Sequence, residues 1–132
     1  MKYPIAIHKD PDSSYGVTVP DVPGCFSGGD TLDEAMDSAK EAILLHLSTL
    51  LQENMPMPAL PADIETHQQN PDFAGAIWAV VDIDMSKLDA QVERVNITMP
   101  RWVLATIDQN VGKGKRSAFL VESALKALSR TA

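Results

Sequence analysis

The chain has 132 residues, of which 45% are hydrophobic and 22% are charged, a composition that is typical of a folded protein and excludes a disordered one. No apolar run approaches the roughly 20 residues that a membrane span requires, and the first residues do not resemble a signal peptide. A cytoplasmic protein without membrane contact is therefore expected. The net charge of −7 would by itself argue against a nucleic-acid partner.

The single cysteine, Cys25, cannot form an internal disulfide, and the sequence contains no cysteine or histidine cluster with the spacing of metal ligands. We therefore expect no structural metal and no other cofactor.

The charge is divided unevenly along the chain. Residues 1–91 contain 4 basic and 15 acidic residues, a balance of −11, whereas residues 92–132 contain 7 basic and 3 acidic residues, a balance of +4. Two regions of opposite sign indicate two partners of opposite sign, one basic and one polyanionic. The alternative is an uneven distribution without functional meaning.

Three short strands are predicted at the start of the chain. Residues 3–7 alternate with the period of a half-buried strand, and Pro4 predicts that this strand lies near a sheet edge. Turn-forming residues at 10–14 separate it from a second alternating segment at 15–19, so the two strands should form a hairpin. A third short strand is predicted at residues 25–28.

A helix is predicted from Thr31 to about Glu53. Thr31 and Glu34 fit a capping box, in which each side chain accepts a hydrogen bond from the other residue's backbone amide. The helix presents one apolar stripe to the sheet, formed by Leu32, Met36, Ala39, Ile43, Leu47 and Leu50. Closely spaced prolines end the helix. A loop of roughly twenty residues then leads to a largely apolar strand at 77–83, which is predicted to pair inside the sheet.

The order of three strands, a helix and a fourth strand predicts an α+β domain with one helix packed on a small sheet. Residues 19–25 (VPDVPGC) and 29–35 (GDTLDEA), followed by the helix and the proline-rich loop, resemble the HicB family of antitoxins, and the resemblance extends over nearly the whole chain. It implies a reduced ribonuclease H-like fold for the N-terminal domain. It also implies that this domain binds and inhibits a small, basic, RNA-cleaving toxin of the HicA type.

A fold related to a nuclease raises the question of catalysis. Four aspartates lie near predicted strand ends, where a metal-dependent nuclease places carboxylates to hold magnesium: Asp10, Asp12, Asp21 and Asp30. Each stands beside Gly, Pro or Ser in a predicted turn, where aspartate is common because its side chain bonds the local backbone. The histidines His8, His46 and His67 have no matched nucleophile. No catalytic or metal-binding residue is therefore assigned, and the protein is not expected to be an enzyme.

The acidic surface offers a simpler route to inhibition. A toxin that binds RNA must present cationic groups, so an anionic domain can occupy the same surface and be attracted to it over a distance. We predict that the inhibitory face is acidic and is partly built from the loop and helix start between Asp21 and Asp37, including Asp30 and Asp33.

A second pattern begins at residue 94. The apolar residues Val95, Ile97 and Met99 alternate with polar ones, as in a strand. Pro100 suits the first turn of a helix whose apolar residues are Val103, Leu104, Ile107 and Val111. The glycines at 112 and 114 end this helix. A second helix, beginning near Lys115 or Arg116, carries a wide apolar face formed by Leu120, Val121, Ala124, Leu125 and Leu128.

One strand and two helices in about forty residues cannot bury these apolar faces, and a single strand has no partner for its backbone hydrogen bonds. Two copies could pair their strands as an antiparallel ribbon covered by four helices, so a homodimer is predicted. This arrangement resembles the ribbon-helix-helix repressors. The resemblance implies that the outward side chains of the ribbon enter the major groove of DNA, and these are Arg94, Asn96 and Thr98.

The same resemblance implies a phosphate anchor at the start of the second helix, formed by Lys115, Arg116 and Ser117. Lys115 stands where the family often has a small capping residue, so the cap is expected to move to Gly114.

The two resemblances together imply an antitoxin in which residues 1–85 mask a HicA-type toxin, residues 86–92 form a linker, and residues 93–132 form a ribbon-helix-helix domain for DNA binding and dimerisation. The protein would repress its own operon by binding operator DNA as a dimer or a higher oligomer such as a tetramer. One alternative is a free-standing repressor with a ligand-sensing N-terminal domain, which would need a ligand-sized apolar pocket. Another is a metal-dependent nuclease, which would need converging carboxylates.

Overall fold

The computed structural model describes residues 1–88 and 92–131. The chain divides into two compact units, Met1–Ala90 and Gln91–Ala132. The finer boundaries at residues 85 and 93 stay predictions, and the predicted linker at 86–92 lies partly outside the described residues. In neither described range is a helix both long and apolar enough to cross a membrane.

The N-terminal unit contains a four-stranded antiparallel sheet within the described residues. Its strands are β1 (Lys2–Lys9), β2 (Tyr15–Thr18), β3 (Phe26–Gly29) and β4 (Ile77–Asp82). The strands lie in the order β3-β2-β1-β4. The predicted hairpin is confirmed, with Ile7 opposite Val17, and so is the α+β class, because one long helix packs on this sheet.

The sheet order differs from the prediction at two strands. β1 lies inside the sheet, although Pro4 indicated an edge, and β4 lies at an edge. Pro4 is tolerated because β2 pairs only with residues 6–9 of β1, so this proline needs no backbone hydrogen bond to β2. Ile77 and Val80 of β4 are exposed, as is usual on an edge strand that is covered only in part.

Helix α1 (Leu32–Gln52) forms the core with the inner face of the sheet. The largest side chains that this contact buries completely include Ile5, Ile7, Ile43 and Leu47, each of which stabilises the fold by about 1.5–3 kcal/mol. The buried stripe of α1 recurs at every fourth residue and consists of Ala35, Ala39, Ile43 and Leu47. The prediction was therefore wrong at Leu32, which is exposed, and it missed Ala35.

The start of α1 lies very close to β3. A Cβ atom on Gly29 would come within 2.5 Å of the backbone nitrogen of Ala35, so no larger residue fits without moving the helix. Thr31 caps the helix as predicted, since its hydroxyl accepts a hydrogen bond from the Glu34 amide at 3.1 Å. The Glu34 carboxylate, however, accepts from the amide of Asp30 at 3.0 Å. The capping box therefore closes one residue earlier than predicted.

The outer face of the sheet is covered by residues 62–73, which we call the outer segment. The sequence predicted a loop here, but the segment contains a short helix, α2 (Ile64–Gln68), and a 3₁₀ turn (Pro71–Phe73). The ring of His67 stacks on Trp78 of β4 with 6.3 Å between centroids, and Phe73 meets the same indole edge-on at 5.6 Å. Pro4 and Ala6, which point away from α1, are consequently buried as well.

Asp21 fastens the outer segment to the loop between β2 and β3. One carboxylate oxygen accepts a hydrogen bond from the amide of Ala62 at 3.0 Å, and the other lies 2.9 Å from Nε2 of His67. The Asp21 side chain is only 8% exposed. Asp21 is therefore mostly buried and links two parts of the unit. We call its two contacts, with Ala62 and His67, the internal tie.

The tie predicts a loss of stability when the carboxylate is removed. Asp21→Ala should lower the free energy of unfolding by about 1–3 kcal/mol, because a part-buried amide and imidazole lose their acceptor. Urea denaturation of the full chain measures this loss. The control, Asp37→Ala, changes an exposed residue of α1 and should stay within about 0.5 kcal/mol of wild type. Equal stability of the two variants would contradict the tie.

The C-terminal unit contains two helices, α3 (Arg101–Val111) and α4 (Arg116–Thr131), as predicted. Pro100 stands at the cap of α3, where its carbonyl accepts from the amides of Val103 and Leu104. Gly112 ends α3 with φ of 84°, a conformation that residues with a side chain rarely adopt. A 3₁₀ turn at Lys113–Lys115 leads directly into α4.

Candidate functional site

The residues predicted to contact the DNA bases stand at the start of the C-terminal unit. Arg94, Asn96 and Thr98 are exposed. The apolar residues between them are exposed too, Val95 by 71% and Ile97 by 61%. Residues 92–100 form no strand in the single chain, as expected for a strand whose only partner would be a second copy. The ribbon itself stays a prediction.

A groove of about 500 Å³ separates this segment from the helix pair. Its apolar lining consists of Val95, Ile97, Met99, Leu104 and Leu120. Its polar lining consists of Asn96, Thr98 and Arg116. Residues from the predicted ribbon and from the start of α4 therefore border one concave surface.

The helix pair buries little apolar surface. Ile107 is the one apolar side chain of this unit that is buried among those the structure describes, at 7% exposure. Trp102, Phe119, Val121 and Leu125 are all exposed. So large a share of uncovered apolar side chains is unusual for a protein surface and marks a region that contacts something else.

The predicted phosphate anchor contains one residue that is already paired. Lys115 and Ser117 are exposed, but the guanidinium of Arg116 donates to both carboxylate oxygens of Asp108, at 2.7 Å from Nε and 2.5 Å from Nη2. These hydrogen bonds lower the pKa of Asp108 and raise the pKa of Arg116. Gly114, the predicted alternative cap, lies within the 3₁₀ turn instead. The sequence analysis did not identify Asp108. The signal in the sequence was an acidic residue and a basic residue, Arg116, on either side of a turn that contains glycine.

Several carboxylates of the acidic segment, residues 21–37, accept hydrogen bonds within the N-terminal unit. Asp21 is the internal tie, Glu34 bonds the amide of Asp30, and the Asp30 carboxylate accepts from the hydroxyl of Ser14 at 3.2 Å. Asp33 and Asp37 are exposed. These two carboxylates make no hydrogen bond or ion pair with the described part of the chain, whereas Asp30 and Glu34, which are also exposed, each accept from a neutral donor.

Three of the aspartates considered for catalysis have structural contacts. The backbone amide and carbonyl of Asp10 close a turn with Ser13 through hydrogen bonds of 2.7–3.1 Å, while the carboxylates of Asp21 and Asp30 hold the contacts given above. No three His, Cys, Asp or Glu side chains in residues 1–88 and 92–131 are grouped so that they could hold a metal ion. The described residues therefore lend no support to the metal-dependent nuclease.

The N-terminal unit also carries a surface groove of about 380 Å³, which lies between α1 and the end of the loop that joins β2 to β3. Its lining includes the exposed residues Phe26, Leu45 and Met55, together with His46. Ligand-sensing sites enclose most of the surface of a small ligand, and a groove bordered by exposed side chains does not. It gives the ligand-sensing alternative little support.

Fold and charge together define an α+β protein whose acidic unit precedes a basic helical unit. A family model described as a HicB-like antitoxin of a bacterial toxin-antitoxin system matches residues 3–124. The chain belongs to this family of HicB-like antitoxins.

Three relatives illustrate the match. An uncharacterised 14.9 kDa protein of Haemophilus phage HP1 is 43% identical over 97% of this chain and 98% of its own. The crystal structure of the Burkholderia pseudomallei antitoxin HicB is 45% identical, with a TM-score of 0.70, over 97% of this chain and 98% of that one. A chain of a HicA3 and HicB3 toxin-antitoxin complex is 34% identical, with a TM-score of 0.58, over 64% of this chain and 99% of that one.

Proposed function

We propose that this antitoxin masks a HicA-type toxin with its N-terminal unit and represses its own operon with its C-terminal unit. Masking requires a complementary surface and no chemistry, which agrees with carboxylates that are used to hold turns and helix ends. Operator binding requires a second copy of the chain, because a two-stranded ribbon needs a strand from each. The cytoplasm, where both partners would be found, is the proposed location.

The toxin-binding role is supported by a relative and by charge. The related chain in the HicA3 and HicB3 complex occurs together with a toxin. The acidic balance of residues 1–91 would attract a basic partner over a distance and raise its association rate. Asp33 and Asp37, exposed at the start of α1, are the proposed first contacts.

The DNA-binding role rests on one observation, the alternation of exposed apolar and polar side chains in residues 94–98 beside an incompletely buried helix pair. Pairing two such segments would bury Val95 and Ile97 against the helices and leave the polar side chains outward. Arginine can bind guanine through two hydrogen bonds and asparagine can bind adenine in the same way, while threonine can meet a thymine methyl. These are the chemical types found at Arg94, Asn96 and Thr98.

The dimer is tested by placing a charge on the predicted inner face of the ribbon. Ile97→Asp should abolish the dimer, because a carboxylate would have to be buried between two copies without a partner. Sedimentation equilibrium gives the mass of each protein. The matched control, Asn96→Asp, places the same charge on the predicted outer face and should remain dimeric. A dimeric Ile97→Asp variant, or a monomeric wild type, would contradict the ribbon.

Base recognition is tested at Arg94. Arg94→Ala should cost about 1–3 kcal/mol of operator affinity and relax discrimination at one base position. Titration of the full chain against a set of single-base operator variants measures both effects. Lys126→Ala removes an exposed cation of α4 that lies outside the predicted contacts and should leave discrimination unchanged. An equal loss on every DNA sequence would show that Arg94 contacts the backbone and not a base.

The toxin-binding face is tested by charge reversal. Asp33→Lys combined with Asp37→Lys should weaken toxin binding about tenfold or more at low salt, chiefly through slower association. Surface plasmon resonance at several salt concentrations measures both rates. The control combines Glu65→Lys with Asp72→Lys, which changes the net charge equally at exposed residues of the outer segment. Equal weakening of the two proteins would show that net charge acts without a defined face.

A further inference from the structure

Asp108 carries a negative charge within the basic C-terminal unit. Residues 92–132 contain three acidic residues, and Asp108 stands beside the turn that the proposed function assigns to a DNA phosphate. A carboxylate there would repel the phosphate and weaken binding unless its charge serves another purpose. The purpose is visible in its contacts, since both of its oxygens are bonded to the guanidinium of Arg116.

We propose that Asp108 is a positioning residue for DNA binding, which holds the guanidinium of Arg116 so that its free edge meets a phosphate at the start of α4. The inference rests on the proposed function, because it concerns the same anchor. It differs from that function in naming a residue that does not touch DNA and carries the wrong charge for it.

The donors of Arg116 divide into two sets. A guanidinium has five N–H groups in a rigid plane. Asp108 takes the one on Nε and one on Nη2, so that the second N–H of Nη2 and both on Nη1 remain. Arg116 is 40% exposed while Asp108 is 17% exposed. The Arg116 side chain therefore combines unused donors with partial exposure to solvent, as binding of an anion requires.

The pair fixes this edge relative to the elements on either side. Asp108 lies in the last turn of α3, where its carbonyl also accepts from the amide of Gly112 at 3.0 Å. Arg116 is the first residue of α4. The two hydrogen bonds thus span the turn between the helices and leave the guanidinium little freedom to rotate. A side chain that is already ordered loses less conformational entropy when it binds.

The surroundings of the free edge are suited to a phosphate. In the single chain, Arg116 and the predicted ribbon residues Asn96 and Thr98 border one groove. Lys113 and Lys115 are exposed in the adjoining turn. The dipole of α4 adds a partial positive charge at its start.

The competing explanation is that the pair of Asp108 and Arg116 only holds α3 and α4 together. Variants that change the charge distinguish this explanation from the proposal. Removing an acid from a DNA-binding surface should tighten binding if charge alone acts. The proposal predicts the opposite sign for Asp108→Asn, because a released Arg116 must be ordered again by the DNA. Exchanging the pair, with Asp108→Arg and Arg116→Asp in one chain, keeps an ion pair between the helices but places a carboxylate where the phosphate would bind.

The experiment measures binding of the full-length dimer to a DNA fragment that carries the promoter region of its own gene. Asp108→Asn should bind about three- to tenfold more weakly than wild type. The exchanged double variant should bind more weakly still, and at least as weakly as Arg116→Ala, while its thermal midpoint stays near that of wild type. Thermal unfolding and sedimentation check that each variant is folded and dimeric.

Two results would overturn the inference alone. One is Asp108→Asn binding as tightly as wild type or more tightly, and the other is an exchanged variant with wild-type affinity, which would make the pair a clamp only. If Asp108→Asn fails to fold, the exchanged variant still decides between these explanations. Failure of the wild-type protein to bind any part of the promoter fragment would overturn the proposed DNA-binding function, and this inference with it.

Discussion

The burial of apolar side chains divides this protein into two unequal halves. In the N-terminal unit, α1 and the outer segment cover both faces of β1, and side chains such as Ile5 and Ile43 are wholly enclosed. In the described part of the C-terminal unit Ile107 alone is buried, while Val95 and Ile97 meet solvent. The first half contains a finished core and can hold a surface rigid for a partner. The second half has the composition of a folded domain without its burial, and the proposed dimer follows from that deficit.

The carboxylates show why a charge count does not identify a binding surface. The N-terminal unit is strongly acidic, yet Asp21 fastens the outer segment and Asp30 and Glu34 hold the start of α1. In the C-terminal unit Asp108 is matched to Arg116 in the same way. Asp108 faces a cation and Asp21 is mostly buried, so these two add little to the field that a partner meets. Asp30 and Glu34 accept from neutral groups, remain exposed and keep their charge. Within the acidic segment, Asp33 and Asp37 on the first turns of α1 are exposed and make no hydrogen bond or ion pair with described residues, so a partner could bind them without breaking an existing contact.

Local signals in the sequence predicted the elements well and their arrangement less well. Thr31 and Glu34 marked the start of α1, and the glycine at 112 separated α3 from α4, because capping and turn chemistry depend on neighbours in the chain. Pro4 did not reveal that β1 lies inside the sheet. The neighbouring strand β2 pairs only with residues 6–9 of β1, so Pro4 needs no hydrogen bond on that side. The outer segment and the pair of Asp108 with Arg116 depend on contacts across the fold. The ribbon involves a second molecule, and a polar and apolar alternation is the same whether a strand faces solvent or DNA.

The stacking of His67 on Trp78 gives this tryptophan surroundings that differ from those of Trp102. The protein contains two tryptophans, and they fall one in each unit: Trp78 rests against an imidazole under the outer segment, while Trp102 stands on the open surface of α3. An indole in contact with a histidine ring and one in water differ in emission colour and in their access to soluble quenchers. Each half of the molecule therefore carries its own optical label. Events at the sheet and events at the helix pair could be followed separately in one sample, with no dye attached.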